Sequence, residues 1–387
     1  MIKKITSVFK EKFAEEPAVF RSPGRINILG EHTDYNEGFV LPAAIDKNIY
    51  VAITKRTDDQ VNLYACDFNE SFTTDIGNIK PVSIQWPNYI LGVVDQLQKK
   101  GYNIKGFNVV IDGDIPIGAG LSSSAAVECA VIFALNTVFD LGLSKMQMVP
   151  LAQKAEHIFA GVNCGIMDQF ASMFGKKNNA VKLDCRSLHY EYVPIKLDGY
   201  QIILFNTNVK HNLSASAYNE RRLQCETGVS MIAQNHPTVT SLRDVNMEML
   251  KDYVEAAAPL IFRRCKYVVQ ENERLQGACE DLKQGNIKAL GAKMYQTHSG
   301  LRYDYDVSCK ELDFLVDFVK PYTAVAGARM VGGGFGGCTI NLVKEDGVEE
   351  LLAAISSAYH EAMGLSLTTY HVSIENGTEA CTALTLQ

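Results

Sequence analysis

A strand, a glycine and serine loop and an apolar helix follow one another between residues 106 and 140, and few folds accommodate that succession. The run GFNVVI at 106–111 is rich in β-branched residues and ends at the turn-forming DGD. Residues 116–126 read PIGAGLSSSAA, and apolar residues then cover most helical faces as far as 139, which predicts a buried helix over 122–140 starting at the serines. Small residues let backbone approach a ligand while N–H groups and hydroxyls point at it, so this loop has the character of an anion cradle. Helix capping by Ser122 or Ser123 accounts for one serine, but not for three beside GAG. A Walker A loop is excluded by the missing lysine, and a dinucleotide fingerprint by Ser123 at the third glycine position.

The rest of the chain supports such a unit with further alternating elements. The N-terminal MIKKITSVFKEKFAEE reads as a short amphipathic helix rather than a secretion signal. Short strands joined by the polar loop GEHTDYNEG (30–38) are expected over 20–55. A helix over 145–159 breaks at GVNCG (161–165), and another begins near Ile166. Strands are expected at 180–183 and 201–206, helices over 214–290 with breaks at Pro237 and Pro259, a strand at TINLV (339–343) and a helix over 348–363. The shift from mixed to helical character places a domain boundary near residue 198, giving domains 1–197 and 198–387.

Composition narrows the class. A chain of 387 residues with 47% apolar and 21% charged side chains buries a sizeable core and is neither disordered nor fibrous. Its formal charge of −7 disfavours a general nucleic-acid or anionic-membrane binder. The apolar run at 125–139 is shorter than a bilayer span and holds Glu128 and Asn136, so no transmembrane helix is expected. Ten cysteines without a CxxC pair suit reduced thiols in a cytosolic enzyme and argue against zinc. The N-x-[ST] triplets at Asn69, Asn212 and Asn376 carry little weight without a secretion signal.

Three further segments hold candidate chemistry. Glu156 falls at helical spacing with Ala152, Ala155 and Phe159, which puts a carboxylate on an apolar stripe, and Asp168 lies at the start of the next helix. Singly these read as a solvated charge or a cap. Beside an anion cradle they suggest Glu156 as a Mg²⁺ ligand and Asp168 as the group facing an attacking hydroxyl. The loop SPGRINILGEHTDY (22–35) gathers Arg25, Glu31, His32, Asp34 and Tyr35, a density that suits sugar hydroxyls, although a solvated turn is the plainer alternative. GGGFGG at 332–337 is either a structural turn where two backbones cross or a loop that packs on the cradle.

PIGAGLSSSAA resembles the phosphate-binding motif of the GHMP kinases, small-molecule kinases for galactose, homoserine, mevalonate and phosphomevalonate, and RMVGGGFGGC resembles their C-terminal glycine motif. PGRINILGEHTDYNEGFVLPAAID closely resembles the galactokinase signature of that family, and CGIMDQF, DCRSL and YNERRLQCETG continue the resemblance over essentially the whole chain. It implies an N-terminal α/β domain and a C-terminal ferredoxin-like α+β domain with the active site between them. It also implies ATP-dependent phosphorylation of the anomeric hydroxyl of α-D-galactose, the entry step of galactose catabolism. Asp168 would be the acid at O1 and Arg25 its partner, while Glu31, His32, Thr33, Asp34, Gly165 and Tyr218 would hold the other hydroxyls. Gly118, Ala119, Gly120, Leu121, Ser122, Ser123 and Ser124 would wrap the ATP phosphates, with Ser124 and Glu156 on Mg²⁺. Where relatives often carry a nucleotide-contacting serine before Cys66, this chain has Ala65. The implied partners are galactose and ATP alone, without nucleic acid or membrane, in a cytoplasmic monomer. A kinase for N-acetylgalactosamine is disfavoured by HTDYNEGFVLP, and a non-catalytic sugar sensor by the intact GLSSSAA, Glu156 and Asp168.

Overall fold

The computed structural model describes residues 1–209 and 214–381; Asn212 lies outside them. The first helix, α1 (Ile2–Phe13), turns Ile5 and Phe9 inward against Val19, Ala52, Tyr64 and Val110, which is the amphipathic pattern expected of it. The strands β1 (Ala18–Asn27), β2 (Phe39–Val40), β3 (Pro42–Lys55), β4 (Gln60–Ala65) and β5 (Glu70–Asp75) follow, then α2 (Gln85–Lys99) and β6 (Phe107–Gly113). The strands expected to be short are long at β1 and β3, which pair antiparallel along their length with one register shift at Pro23/Arg25. A six-stranded sheet runs Glu379–Ala380, β1, β3, β6, β4, β5, and only β4 with β6 is parallel.

Helices α3 (Ser123–Val138), α4 (Lys145–Ala155) and α5 (Met167–Phe174) pack together, with α3 and α5 lying on β1 and β3. α3 is apolar on nearly every face because it is enclosed on nearly every face. The expected helix over 145–159 is α4 followed by a π turn, Glu156–Ala160, ending at Gly161. Next come β7 (Asn179–Asp184) and β8 (Tyr190–Pro194), which join β2 in a three-stranded sheet.

The second half contains β9 (Tyr200–Asn206), α6 (Ser214–Ala233), α7 (Met247–Leu250), α8 (Pro259–Lys283), α9 (Ile287–Ser299), α10 (Lys310–Val319), β10 (Val325–Met330), β11 (Cys338–Lys344), α11 (Val348–Met363), β12 (Thr368–Val372) and β13 (Glu379–Ala380). Pro259 opens α8 at a position where its missing N–H costs nothing. The antiparallel order β10-β11-β9-β12 is the ferredoxin-like arrangement. α8 belongs to two cores at once: Leu275, Ala278, Cys279 and Leu282 pack with the first half, while Tyr267, Val268 and Val269 pack with Leu301, Tyr305 and Met330. β13 returns to pair with β1, where Arg21 binds Glu379 at 2.6 Å.

Candidate active site

The cradle forms where three backbones meet. The Arg25 N–H donates to Leu121 O at 3.1 Å, so β1 runs directly under the loop, while Ala119 and Leu121 bury their side chains in the core. The glycine motif lies on the other side. A Cβ at Gly332 would fall 2.9 Å from Gly120 O, and one at Gly337 3.0 Å from Ala119 O. Of the two readings of GGGFGG, packing on the cradle is therefore the one observed, because nothing larger than glycine fits between these strands of backbone.

Arg25 and Asp168 meet beside this loop. Arg25 Nε donates to Asp168 Oδ1 at 2.7 Å and Nη2 to Oδ2 at 3.0 Å, a two-pronged pair, while Nη1 donates to Gly120 O at 2.7 Å. Ser122 takes φ 61° and makes no cap; its hydroxyl donates to Asp168 Oδ2 at 2.6 Å. The capping alternative thus gives way to a link between the cradle and the acid. Ser123 is the first residue of α3, and Gly118 stands at the turn before it.

In the first turn of α3, the Ser124 hydroxyl donates to Glu156 Oε1 at 2.9 Å. Glu156 opens the π turn, a wide turn that recurs at functional sites, and burial and then Asp168 push its carboxyl up. Gln169 Nε2 donates to Glu156 Oε2 at 2.7 Å and to Glu128 Oε2 at 3.0 Å. Glu128 is fully buried, and that burial pushes its carboxyl well up. Two hard oxygen donors beside a phosphate cradle fit Mg²⁺, which keeps waters and takes its remaining oxygens from phosphates. Among the described residues no group of three or more His, Cys, Asp or Glu is placed to hold a metal by itself.

The loop 30–38 closes the other side. Asp34 is buried against Gly165, where a Cβ would fall 1.9 Å from its Oδ2. The Tyr35 N–H donates to Oδ1 at 3.0 Å, with the Met167 N–H as a second donor. Burial, then repulsion from Asp168, pushes the Asp34 carboxyl up to about 7. His32 lies among Tyr35, Tyr218 and Tyr305, and its burial pushes it down to about 4. The neutral ring donates from Nε2 to Gly333 O at 3.2 Å and accepts at Nδ1 from the Tyr35 hydroxyl at 2.8 Å. Glu31 Oε1 accepts from Arg329 at 3.0 Å and from the Gly332 N–H at 2.8 Å. Thr33 donates to Gly30 O at 2.9 Å and Phe39 O at 2.5 Å, so its one hydroxyl proton serves the loop's own shape. A small-residue loop at a helix start, a serine and glutamate oxygen pair beside it and a carboxylate paired with a buried arginine are groups able to serve phosphoryl transfer to a hydroxyl.

The family model for the GHMP kinases N terminal domain matches residues 88–176, that for the galactokinase galactose-binding signature residues 7–55, and that for the GHMP kinases C terminal residues 266–361. The chain is 42% identical to a galactokinase of Thermosipho africanus over 92% of its own length and 98% of the relative's. The chain belongs to the galactokinase family. A galactokinase of Clostridium perfringens is 41% identical over 96% of this chain and 98% of the relative. The crystal structure of Lactococcus lactis galactokinase complexed with galactose superposes with a TM-score of 0.94 at 36% identity, covering 98% of this chain and 99% of that one. A Methanococcus jannaschii mevalonate kinase shares the fold, with a TM-score of 0.66 at 18% identity over 93% of this chain and 99% of that one.

Several residues that build this galactokinase-family site escape a reading of local pattern. Arg329, fully buried, donates to Ile28 O at 2.8 Å, to Met330 O at 2.6 Å, to Asn27 O and to Glu31. Gln169 and Glu128 lie behind Glu156, and Tyr305 donates toward Tyr35 at 2.7 Å. For Glu128 a signal existed, a charge inside an apolar helical run. Arg329 gave none, since apart from its neighbour Met330 its partners lie 298 to 302 positions away.

Proposed function

We propose that the chain transfers the γ-phosphoryl group of ATP to the anomeric hydroxyl of α-D-galactose, giving galactose 1-phosphate and ADP. The observation that carries this reading is the position of Asp168. Its carboxylate is bonded to Arg25 on one side and to Ser122 of the cradle on the other, and Gly165, three residues before it, lies against Asp34. In this reading O1 lies against Asp168, which aims the hydroxyl at the γ-phosphorus and receives its proton as the O–P bond forms and the bond to ADP breaks. Arg25, buried and anchored at Gly120 O, balances charge between carboxylate and phosphoryl group. Backbone of 118–124 wraps the phosphates, and Ser124 with Glu156 would hold Mg²⁺, which supplies neutralisation of the phosphate charge. Asp34, His32, Glu31, the backbone at Gly165 and the hydroxyl of Tyr218 would receive the remaining sugar hydroxyls, with Thr33 shaping the loop.

Every group in this reading comes from one chain, which suits a monomer. Ten free cysteines suit a reducing cytoplasm, and among the described residues no helix is long and apolar enough to cross a membrane. The test is ADP release measured with galactose, glucose, galactosamine and N-acetylgalactosamine. Turnover with galactose well above the others supports the assignment, and ADP release independent of added sugar defeats it.

A further inference from the structure

The hexose loop is held by a helix from the other half of the molecule. Along α8, the Tyr267 hydroxyl donates to Glu31 O at 3.0 Å, Glu271 Oε1 accepts the Gly30 N–H at 2.8 Å, and Asn272 Oδ1 accepts the Phe39 N–H at 2.8 Å. Two consecutive side chains thus take the N–H groups at both ends of the EHTD segment, and a third takes a carbonyl inside it. Glu271 is itself fixed: it is fully buried, receives the Thr297 hydroxyl at 2.9 Å and pairs with Arg274. Gly38 makes room for Asn272, since a Cβ there would fall 2.5 Å from the amide oxygen.

We propose that Tyr267, Glu271 and Asn272 are positioning residues for the hexose: they set the affinity for sugar by fixing the backbone of residues 30–38, without touching the sugar. This rests on loop 30–38 being the hexose pocket. A side chain shifts when the backbone that carries it relaxes, and His32 and Asp34 need their present directions to meet particular hydroxyls.

Asn272 is half-buried, so Asn272→Leu keeps the shape and removes the acceptor, while Asn272→Asp keeps both. Tyr267→Phe removes only a hydroxyl. For Asn272→Leu and Tyr267→Phe, the galactose Kd by calorimetry and the galactose KM rise by about tenfold, while the ATP KM stays within about twofold and Asn272→Asp restores sugar affinity. A loss of thermal stability with unchanged sugar affinity, or an equal rise in the ATP KM, overturns the proposal. Asp34→Ala is measured in parallel. If it too leaves galactose binding intact, the pocket reading falls and the proposal with it; if it weakens binding while the α8 variants do not, the clamp alone falls.

Discussion

Burial and then Asp168 push the Asp34 carboxyl up to about 7, whereas sugar hydroxyls donating to it, as proposed above, would favour the ionised form. Galactose affinity therefore rises as pH increases from about 5.5 to 8, and binding below pH 7 releases a proton, which calorimetry in buffers of different ionisation enthalpy detects. The folded-state value lies above the ordinary 3.8, so the folded form binds the extra proton between the two. The stability this brings is complete below about pH 4 and lost as pH rises through 7. Asp34→Asn should flatten that part of the stability profile in the unliganded protein. For Asp168→Asn, which keeps shape and removes the charge proposed to face O1, galactose binding persists while kcat falls by at least about a hundredfold; near-normal turnover would remove Asp168 from the reaction. Residues of these kinds were legible because they crowd into short segments. Thr33 was expected to hold a sugar hydroxyl, and that its own hydroxyl is turned inward to Gly30 O and Phe39 O depends on a loop conformation no local pattern encodes.

At the scale of elements, the phosphate loop with α3 and the helix α11 follow directly from periodicity and turn chemistry, and α11 spans Val348–Met363 as expected. The π turn at Glu156–Ala160 does not, since one widened turn leaves the apolar spacing before it unchanged. Its consequence is chemical: it sets Glu156 where Ser124 can reach it. Glu156→Gln keeps the size and removes the charge and one of the two acceptor oxygens, so the Mg²⁺ concentration for half-maximal rate rises several-fold and Mn²⁺ binding in the presence of ATP weakens in spectroscopic titration. Unaltered metal dependence would leave Glu156 as a structural acid. Sheet order was likewise invisible, because the parallel pairing of β4 with β6 is set by the helix α2 passing between them in the chain.

For the whole molecule, we propose the division at 197/198, in the turn before β9 opens the second sheet, with one amendment: residues beyond Val372 return to the first half. Thr378 shares a hydrogen bond with Ser22 at 2.9 Å and accepts one from Lys145 at 2.7 Å, next to β13 on the edge of β1. A chain ending at Val372 should therefore unfold several degrees lower, and galactose-dependent ATPase or kinase assays should show its activity lost on heating first; unchanged thermal unfolding would return these residues to the second half. The change in composition near 198 suggests such a boundary in the sequence, whereas nothing there suggests the return, since a two-residue strand has no period.

The enclosure of Arg329 has a consequence for how the protein comes into being. Its guanidinium is spent on oxygens at the end of β1 and the start of the EHTD segment, and it is out of contact with water. A nascent chain leaving the ribosome presents Asn27, Ile28 and Glu31 some three hundred residues before their donor exists. Until the region around Gly332 has emerged, these oxygens lack the donors they have in the finished fold, so the first half alone should not hold the pocket geometry described above. A chain cut short before Arg329 should accordingly show no galactose-dependent ADP release.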